Sequence, residues 1–305
     1  MPVTLDWLGC ATFRLTIDDL VVFLDAYMDR VPAAPPVAMS AAEVTKADYV
    51  LLGHAHFDHL AGAEVIAPNT GATVIGSHES VRVLREAGVP EAQLIASQGG
   101  ERHRLAPGVT VEVIPSLHSC IWVGGSWEPG KTVLGHYGLC EDDREAVRAE
   151  SGGGIGEQAE EPDPELLAQM QSHMASAVGS HSHGGAIAFL IETEYGSIFF
   201  HDTSGGWTGL LQDLRPDFAI VAMAGRPNLD GEPIQGSLAQ FVGRMGDLLR
   251  PPRMVLGHHD DWMPPMTRDM TSADALAPVK NELSHVAPRT ELVEMDLQSS
   301  YTIFS

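Results

Sequence analysis

The segment VLLGHAHFDH at residues 50–59 constrains this chain more than any other part of it. An apolar run ends there in three imidazoles and a carboxylate, at His54, His56, Asp58 and His59. A buried strand that ends in four ionisable side chains is costly to fold unless those side chains bind something. Imidazole nitrogen and carboxylate oxygen are ligands that zinc, iron and manganese accept in proteins. The segment therefore predicts a metal site at the end of a buried strand.

The charge balance limits the partners of such a site. The 305 residues include 18 Lys and Arg against 41 Asp and Glu, which gives a formal net charge of -23. Because an acidic surface repels phosphate backbones, we expect no nucleic-acid partner and a small-molecule substrate instead. The length allows one large domain or two modest ones, and a homo-oligomer stays open.

The same composition indicates where the chain resides. No apolar run approaches the roughly 20 residues that a membrane-spanning helix needs, and the first residues have no pattern of a secretory signal. The cysteines Cys10, Cys120 and Cys140 have no CxxC spacing, which suits a reducing compartment better than a disulfide framework. We therefore expect a cytoplasmic protein without a membrane partner.

Short apolar runs separated by turn residues predict a chain of class α/β or α+β with mixed sheets. The strand patterns lie at 3–8, 12–17, 21–24, 48–52, 73–76, 109–114, 186–192, 197–200, 218–223, 253–256 and the C-terminus. The helix patterns lie at 79–87, 164–177, 237–249 and 272–285, with a short helix capped by Ser40. Residues 124–185 contain few large apolar side chains, so we expect an insertion or lid there, within a single domain over residues 1–305.

The order HxHxDH at residues 54–59 resembles the signature of the metallo-β-lactamase superfamily. The segments WLGCATFRL (7–15) and VVFLDAYM (21–28) resemble the opening hairpins of its lactonase and phospholipase-D-like branch, although Cys10 stands where that branch usually has a histidine. The resemblance runs from residue 3 to about residue 265 and is weakest over the lid. It implies a four-layer αβ/βα sandwich with two mixed β-sheets and one or two metal ions at the sheet ends.

The family pattern requires three further metal ligands, each at the end of an apolar segment. The first is His118, after the segment VEVIPSL. The second is a carboxylate that can bridge two cations, and Asp202 in SIFFHDT fits, with His201 in place of the family's usual glycine. The last is a C-terminal histidine, for which MVLGHHD offers two neighbours, and register with the family's ending favours His258 over His259.

Together these residues imply two metal sites that share one carboxylate. The first site takes His54, His56 and His118, the second takes Asp58, His59 and His258, and Asp202 belongs to both. A shared anion screens the repulsion between two cations. Every ligand in this set is nitrogen or oxygen and none is sulfur. We therefore expect two divalent ions, with zinc first and manganese or iron as alternatives.

A bound metal ion lowers the pKa of coordinated water towards about 7, which supplies hydroxide at neutral pH. We therefore predict a metal-dependent hydrolase whose metal-bound hydroxide attacks a lactone, ester, amide or phosphodiester of a small molecule. Asp58 is the predicted catalytic residue that orients the nucleophile and passes its proton to the leaving group. An oxidoreductase with one or two iron ions, acting on oxygen or persulfides, is the alternative.

A second histidine-rich segment, GSHSHGG at 179–185, precedes a predicted strand. Its His181 and His183 are predicted catalytic residues that donate to a developing oxyanion, and a surface turn or weak extra metal site is the alternative. Aromatic residues near the site fit either a substrate wall or ordinary packing. They are Trp122, Trp127, His136, Tyr137, Trp207 and Trp262. The acidic pair Asp260 and Asp261 is expected to hold the ligand histidines from outside.

Overall fold

Period-two alternation of apolar residues produces the first strands. In β1 (Val3–Trp7) and β2 (Phe13–Ile17) every second side chain is buried and the intervening ones are half-buried.

The computed structural model describes residues 2–123, 127–134, 137–150 and 163–305. Its other strands are β3 (Leu20–Leu24), β4 (Tyr49–Leu51), β5 (Thr73–Gly76), β6 (Leu94–Ala96), β7 (Arg102–Ala106), β8 (Val109–Pro115), β9 (Ile187–Thr193), β10 (Gly196–His201), β11 (Gly205–Gly206), β12 (Phe218–Ala222), β13 (Asn228–Leu229), β14 (Glu232–Pro233), β15 (Arg253–Gly257), β16 (Glu291–Leu292) and β17 (Ser300–Phe304). Its α-helices are α1 (Phe57–Leu60), α2 (Ala63–Thr70), α3 (His78–Glu86), α4 (Glu141–Glu150), α5 (Pro164–Ser176), α6 (Thr208–Leu211), α7 (Leu238–Leu249) and α8 (Ala273–Val286).

Two seven-stranded mixed sheets form the centre of the fold. The N-terminal sheet has the order β17-β1-β2-β3-β4-β5-β6, antiparallel from β17 to β3 and parallel from β3 to β6. The C-terminal sheet has the order β16-β15-β12-β10-β9-β8-β7, antiparallel from β7 to β10 and parallel from β10 to β16. The short strands β11, β13 and β14 form a small third sheet.

Apolar side chains of the two sheets meet face to face, and helices cover the outer faces. The core between the sheets includes Trp7 and Phe13 from one sheet and Phe189 and Phe200 from the other. A second core packs α2 and α3 onto the N-terminal sheet, and a third packs α7 and α8 onto the C-terminal sheet. This arrangement is a four-layer αβ/βα sandwich with two mixed β-sheets, which confirms the predicted α/β (α+β) class.

The strand before the HxHxDH segment is buried on both faces, as its nearly continuous apolar sequence predicts. Val50 belongs to the core beneath α2 and α3, whereas Leu51 belongs to the core between the sheets. Backbone pairing with β3 on one side and β5 on the other completes the burial of β4. The chain stays buried beyond the carboxyl end of β4, through His54 and Ala55.

The predicted lid contributes two helices to the described structure. The helix pattern at 164–177 corresponds to α5, whereas α4 was not expected. The glycine-rich and acidic stretch at 151–162 lies outside the described residues. The lid role and the single domain over residues 1–305 stay predictions. Among the described helices, none has the length and apolar character needed to cross a bilayer.

Candidate metal centre

The predicted metal ligands lie where strands end at one edge of the sandwich. His54, His118, Asp202 and His258 follow the carboxyl ends of β4, β8, β10 and β15, respectively. In the C-terminal sheet β8, β10 and β15 share one direction, because β9 runs antiparallel between β8 and β10. The amino end of β9 therefore lies at the same edge and brings the segment 179–185 to it.

Backbone hydrogen bonds beyond the strand ends fix the HxHxDH segment. The N–H of Ile187 donates to the carbonyl of Gly53 at 2.8 Å. The N–H of Ala55 donates to the carbonyl of His183 at 3.0 Å. A Cβ on Gly53 would lie 2.2 Å from the carboxylate carbon of Asp202, so only glycine lets the two segments approach this closely.

His54, His56 and His118 form one cluster, called here the three-histidine group. A ring nitrogen of each lies within 4.8 Å of those of the other two. His54 Nε2 is 3.1 Å from His56 Nδ1, and the ring centroids of His54 and His118 are 4.6 Å apart. His118 Nδ1 donates to the Ser119 carbonyl at 2.8 Å, which leaves the lone pair on Nε2. The group thus presents three ring nitrogens that could bind one metal ion.

Burial keeps these imidazoles neutral. Burial, reinforced by the charge of His59, lowers the pKa of His54 to about 4. Burial and the neighbouring His54 lower the pKa of His56 to about 3, and the same causes lower the pKa of His118 well below its usual value. Because neutral imidazole is the form that binds metal, the three-histidine group is ready for a cation at neutral pH.

Asp58 and His258 form a second cluster, called here the Asp58–His258 group. Asp58 Oδ2 lies 3.2 Å from His258 Nε2 and 3.4 Å from His59 Nε2. Burial alone would raise the pKa of Asp58, but His59 and His258 outweigh it and hold that pKa well below its usual value. Asp58 is therefore an ionised carboxylate beside two imidazoles. The thiol of Cys10 lies within 4.8 Å of the ligand atoms of Asp58 and His258.

Two buried carboxylates hold His59 on its other side. Its Nδ1 lies 2.7 Å from Asp25 Oδ2 and 3.2 Å from Asp202 Oδ2. Burial opposes a charge on His59, but Asp58, Asp202 and Asp25 outweigh it and raise the pKa of His59 well above its usual value. A carboxylate on the far nitrogen orients a ligand histidine and raises its basicity. Asp25 was not predicted from the sequence, where its only signal is its place after the apolar run VVFL.

Asp202 lies against His54 of the three-histidine group and against His59, and it carries an unsatisfied oxygen. Its Oδ2 is 2.7 Å from His54 Nδ1, whereas its fully buried Oδ1 has no hydrogen-bond partner. Burial alone would raise the pKa of Asp202, but His54 and His59 hold it well below its usual value. A buried, charged oxygen without a donor is costly unless a cation supplies the missing partner. This oxygen and the neutral imidazoles around it fit zinc, manganese or iron.

The two neighbouring histidines after β15 face different surroundings. His258 has a left-handed backbone with φ of 63° and directs Nε2 at Asp58. His259 instead stacks on Trp7, with ring centroids 4.8 Å apart and planes 3° from parallel. The structure thus brings His258, and not His259, to the other predicted ligands. The assignment of individual ligands and the count of two ions stay predictions.

The acidic pair after these histidines has other partners than expected. Asp260 Oδ1 accepts the backbone N–H of Cys10 at 2.9 Å, and its Oδ2 pairs with Arg30 at 2.6 Å. Asp261 accepts from the hydroxyl of Thr267 at 2.6 Å. The two carboxylates therefore fix the Cys10 backbone and a neighbouring loop instead of the ligand histidines.

A cavity of about 650 Å³ opens beside both clusters. Its polar residues include His56, Asp58, His118 and His258. Its apolar lining comes from Phe57, Ile121, Trp127, Met174, Trp262, Met263 and Met266. Among the described residues that line it there is neither lysine nor arginine. The predicted ligands therefore face a space of small-molecule size with apolar walls.

The two histidines of the segment before β9 lie at different depths. His183 is half-buried, and its ring stacks on His118 with centroids 5.3 Å apart. His181 is exposed and lines the cavity. Both therefore lie near the centre, and their catalytic roles stay predictions.

Some of the aromatic residues line the cavity, and others lie elsewhere in the structure. Trp127 and Trp262 line the cavity, and Trp262 also stacks on His258 with centroids 5.0 Å apart. Trp122 packs under the guanidinium of Arg144 at 4.6 Å. The exposed Tyr137 and Trp207 are not among the lining residues. His136 lies outside the described residues.

Comparison with known proteins gives a match over part of the sequence. Residues 21–136 match the model of the beta-lactamase superfamily domain. A UPF0173 metal-dependent hydrolase of Pyrobaculum calidifontis is 35% identical over 115 residues, which are 37% of this chain and 49% of that relative. The chain thus spans about half the length of the curated relatives it matches.

Solved structures match over nearly the whole chain. Igni18, a metallo hydrolase from Ignicoccus hospitalis, superposes with a TM-score of 0.61 at 18% identity and covers 99% of this chain and 98% of its own. CmlA, a diiron β-hydroxylase from Streptomyces venezuelae, superposes with a TM-score of 0.54 at 13% identity, over 99% of this chain and 54% of its own. With the four layers and the histidine-rich edge, these matches define the class. The chain is a protein of the metallo-β-lactamase fold, as its HxHxDH segment implies.

Proposed function

We propose that this chain is a metal-dependent hydrolase that cleaves an ester, lactone or amide bond of an uncharged small molecule. The observation that carries the proposal is the cavity, which joins both ligand clusters to an apolar wall. The similarity to relatives described as metal-dependent hydrolases supports the reaction class.

The three-histidine group would hold one metal ion and the Asp58–His258 group, with His59, a second. Asp202, which contacts His54 and His59, would offer its unpartnered Oδ1. The ions would supply a water of lowered pKa and polarise the oxygen of the scissile bond.

Asp58 is the residue best placed to move the proton. It lines the cavity and stays ionised, so it accepts a proton from the nucleophilic water and passes it to the leaving group. His183, stacked on His118, would donate a hydrogen bond to the oxyanion that develops in the transition state. His181, on the cavity wall, contacts the more distant part of the substrate.

The wall favours an uncharged substrate over a phosphodiester. Beyond the metal ions, no lysine or arginine in the described lining would pair with a phosphate or carboxylate. Met174, Met263 and Met266 supply flexible apolar contacts that adapt to different acyl groups. The net charge of -23 further disfavours anions, including nucleic acid. The oxidoreductase alternative has no observation of its own, because the likeness to CmlA concerns the fold alone.

A matched substrate series tests this proposal. The metal-loaded full chain is assayed on neutral nitrophenyl esters of increasing acyl length, a neutral acyl lactone and a nitrophenyl phosphodiester. We expect kcat/KM to rise with acyl length and to exceed that for the phosphodiester. Met174→Lys should reverse part of this preference, because it places a cation on the wall, whereas Leu210→Lys, at an exposed site away from the cavity, should not. Preference for the phosphodiester, or no dependence on acyl length, would refute the substrate class.

A further inference from the structure

We infer that the sulfur of Cys10 is a ligand of the metal ion held at the Asp58–His258 group. The inference rests on the metal centre proposed above, but it does not depend on which bond is hydrolysed. The residue pattern predicts only nitrogen and oxygen ligands, and the folded chain adds a sulfur to them.

The donor atoms already lie close together. Cys10 Sγ, an oxygen of Asp58 and a nitrogen of His258 are all within 4.8 Å of one another. Ligand atoms of a tetrahedral zinc ion lie about 3.5 Å apart, because zinc–sulfur and zinc–nitrogen bonds are about 2.3 and 2.0 Å long. His258 Nε2 and Asp58 Oδ2 meet this spacing at 3.2 Å. The sulfur lies within 4.8 Å of the other two atoms, so at most about 1.3 Å separates this arrangement from the spacing of a zinc site.

The three side chains have few competing partners. Cys10 is fully buried, and its thiol donates one hydrogen bond, 3.5 Å long, to the Asp58 carbonyl. His258 is 8% exposed, and its Nδ1 has no hydrogen-bond partner. Tyr27, Trp262 and Cys10 share an apolar cluster on the inner side of this corner. In such surroundings a cation is the partner that best satisfies a thiol, a carboxylate and an imidazole together.

The backbone holds Cys10 in this place. Its φ of 50° lies in the left-handed region, which a side chain other than glycine adopts at a cost. Its N–H donates to Asp260 at 2.9 Å, and its carbonyl accepts from the N–H of His258 at 2.7 Å and from Trp7 Nε1 at 3.0 Å. The link to His258 means that the two proposed ligands are positioned by one another.

A sulfur ligand has a consequence for metal choice. When the metal–sulfur bond forms, the S–H bond breaks and its proton passes to the solvent buffer. Thiolate favours zinc and cobalt over manganese, so the Asp58–His258 group should discriminate among metals more strongly than the three-histidine group. Cys10→Ser should weaken zinc binding at the second site by more than the roughly 10–100-fold that loss of an outer-shell partner costs.

X-ray absorption and cobalt substitution test the inference on the full chain. We expect zinc-loaded protein to show a sulfur shell at about 2.3 Å. The cobalt-loaded protein should show thiolate-to-cobalt charge transfer in the near ultraviolet. Both signals should persist in the double variant Cys120→Ser, Cys140→Ser, where Cys10 is the remaining cysteine, and should be lost in Cys10→Ser. The double variant keeps the test decisive if Cys10→Ser fails to fold.

Two results would overturn the inference. One is zinc-loaded protein with both sites filled and no sulfur shell. The other is a sulfur signal that survives in Cys10→Ser or disappears in the double variant. Neither result concerns hydrolysis, so a failure of the proposed substrate class is recorded separately in the ester and lactone assays.

Discussion

Replacing Asp25 by asparagine removes a negative charge behind His59 and leaves the shape of the site unchanged. Asp25 Oδ2 faces His59 Nδ1 at 2.7 Å, and Oδ1 accepts the Gly53 N–H at 3.1 Å. An amide has one carbonyl oxygen, so it accepts only one of these two bonds. Loss of an outer carboxylate on a ligand histidine costs about 10–100-fold in metal affinity, or about 1.4–2.7 kcal/mol. We expect this loss at the second site, and little change at the three-histidine group.

The fold itself should tolerate this substitution. Asp25 has a left-handed φ of 55°, which asparagine adopts as readily. Burial and the charge of Asp202 raise the pKa of Asp25 to about 8, so a negative charge at this position does not stabilise the metal-free fold. Asparagine leaves one buried N–H without its acceptor, so the free energy of unfolding without metal should fall by about 1–3 kcal/mol, which a folded domain tolerates.

Competition with a chromophoric chelator resolves the two zinc affinities, and thermal unfolding of stripped protein measures stability. Asp18→Asn is the matched control, because Asp18 has a φ of 53° and its carboxylate binds the Tyr195 hydroxyl instead of a predicted metal ligand. Equal zinc affinity in Asp25→Asn and the parent at both sites would refute the reasoning. A loss confined to the three-histidine group would do the same.

Three further outcomes follow from the same geometry. Between pH 6 and 8 the metal affinity of the three-histidine group should stay nearly constant, since the pKa values of its histidines are lowered. Metal affinity at the site that includes His59 and Cys10 should rise with pH, because binding releases a proton from each, by up to about a hundredfold per unit, as isothermal titration would show. Gly53→Ala should displace the Asp202 carboxylate and lower the metal content of purified protein, while Gly209→Ala, which meets open space, should not. His183→Ala should lower kcat by about 100-fold or more, as loss of an oxyanion donor does elsewhere, with unchanged metal content; an effect on KM alone would argue against that role.

Strands and helices in which apolar residues recur at regular spacing could be predicted from the sequence. The strand at 48–52 and the helices at 237–249 and 272–285 agree with β4, α7 and α8 to within one or two residues. Helix α4 could not be predicted in this way, because its sequence EDDREAVRAE offers no apolar face of the usual width. The two-residue strands β11, β13 and β14 are too short for any period to appear.

The residues of the candidate metal centre also differ in how far the sequence predicts them. The spacing of HxHxDH predicts the metal ligands that lie close together in the sequence. The family pattern predicts the distant ligands His118, Asp202 and His258. Asp25 could not be found this way, because its proximity to His59 arises from strand pairing. Family register drew attention to Cys10 but not to its contact with Asp58 and His258, which depends on a left-handed turn. Such contacts depend on tertiary structure that a single sequence does not display.

Stepwise addition of zinc to chelator-stripped protein decides whether the two clusters are a working metal centre. Bound metal and ester hydrolysis are measured on the same samples, for the parent chain and for His118→Ala. We expect no hydrolysis without metal, a rate that rises with bound zinc to a plateau near about two ions per chain, and loss of both binding and rate in the variant. Full hydrolysis by stripped protein, or an unchanged zinc content and rate in His118→Ala, would contradict the metal centre proposed for this fold.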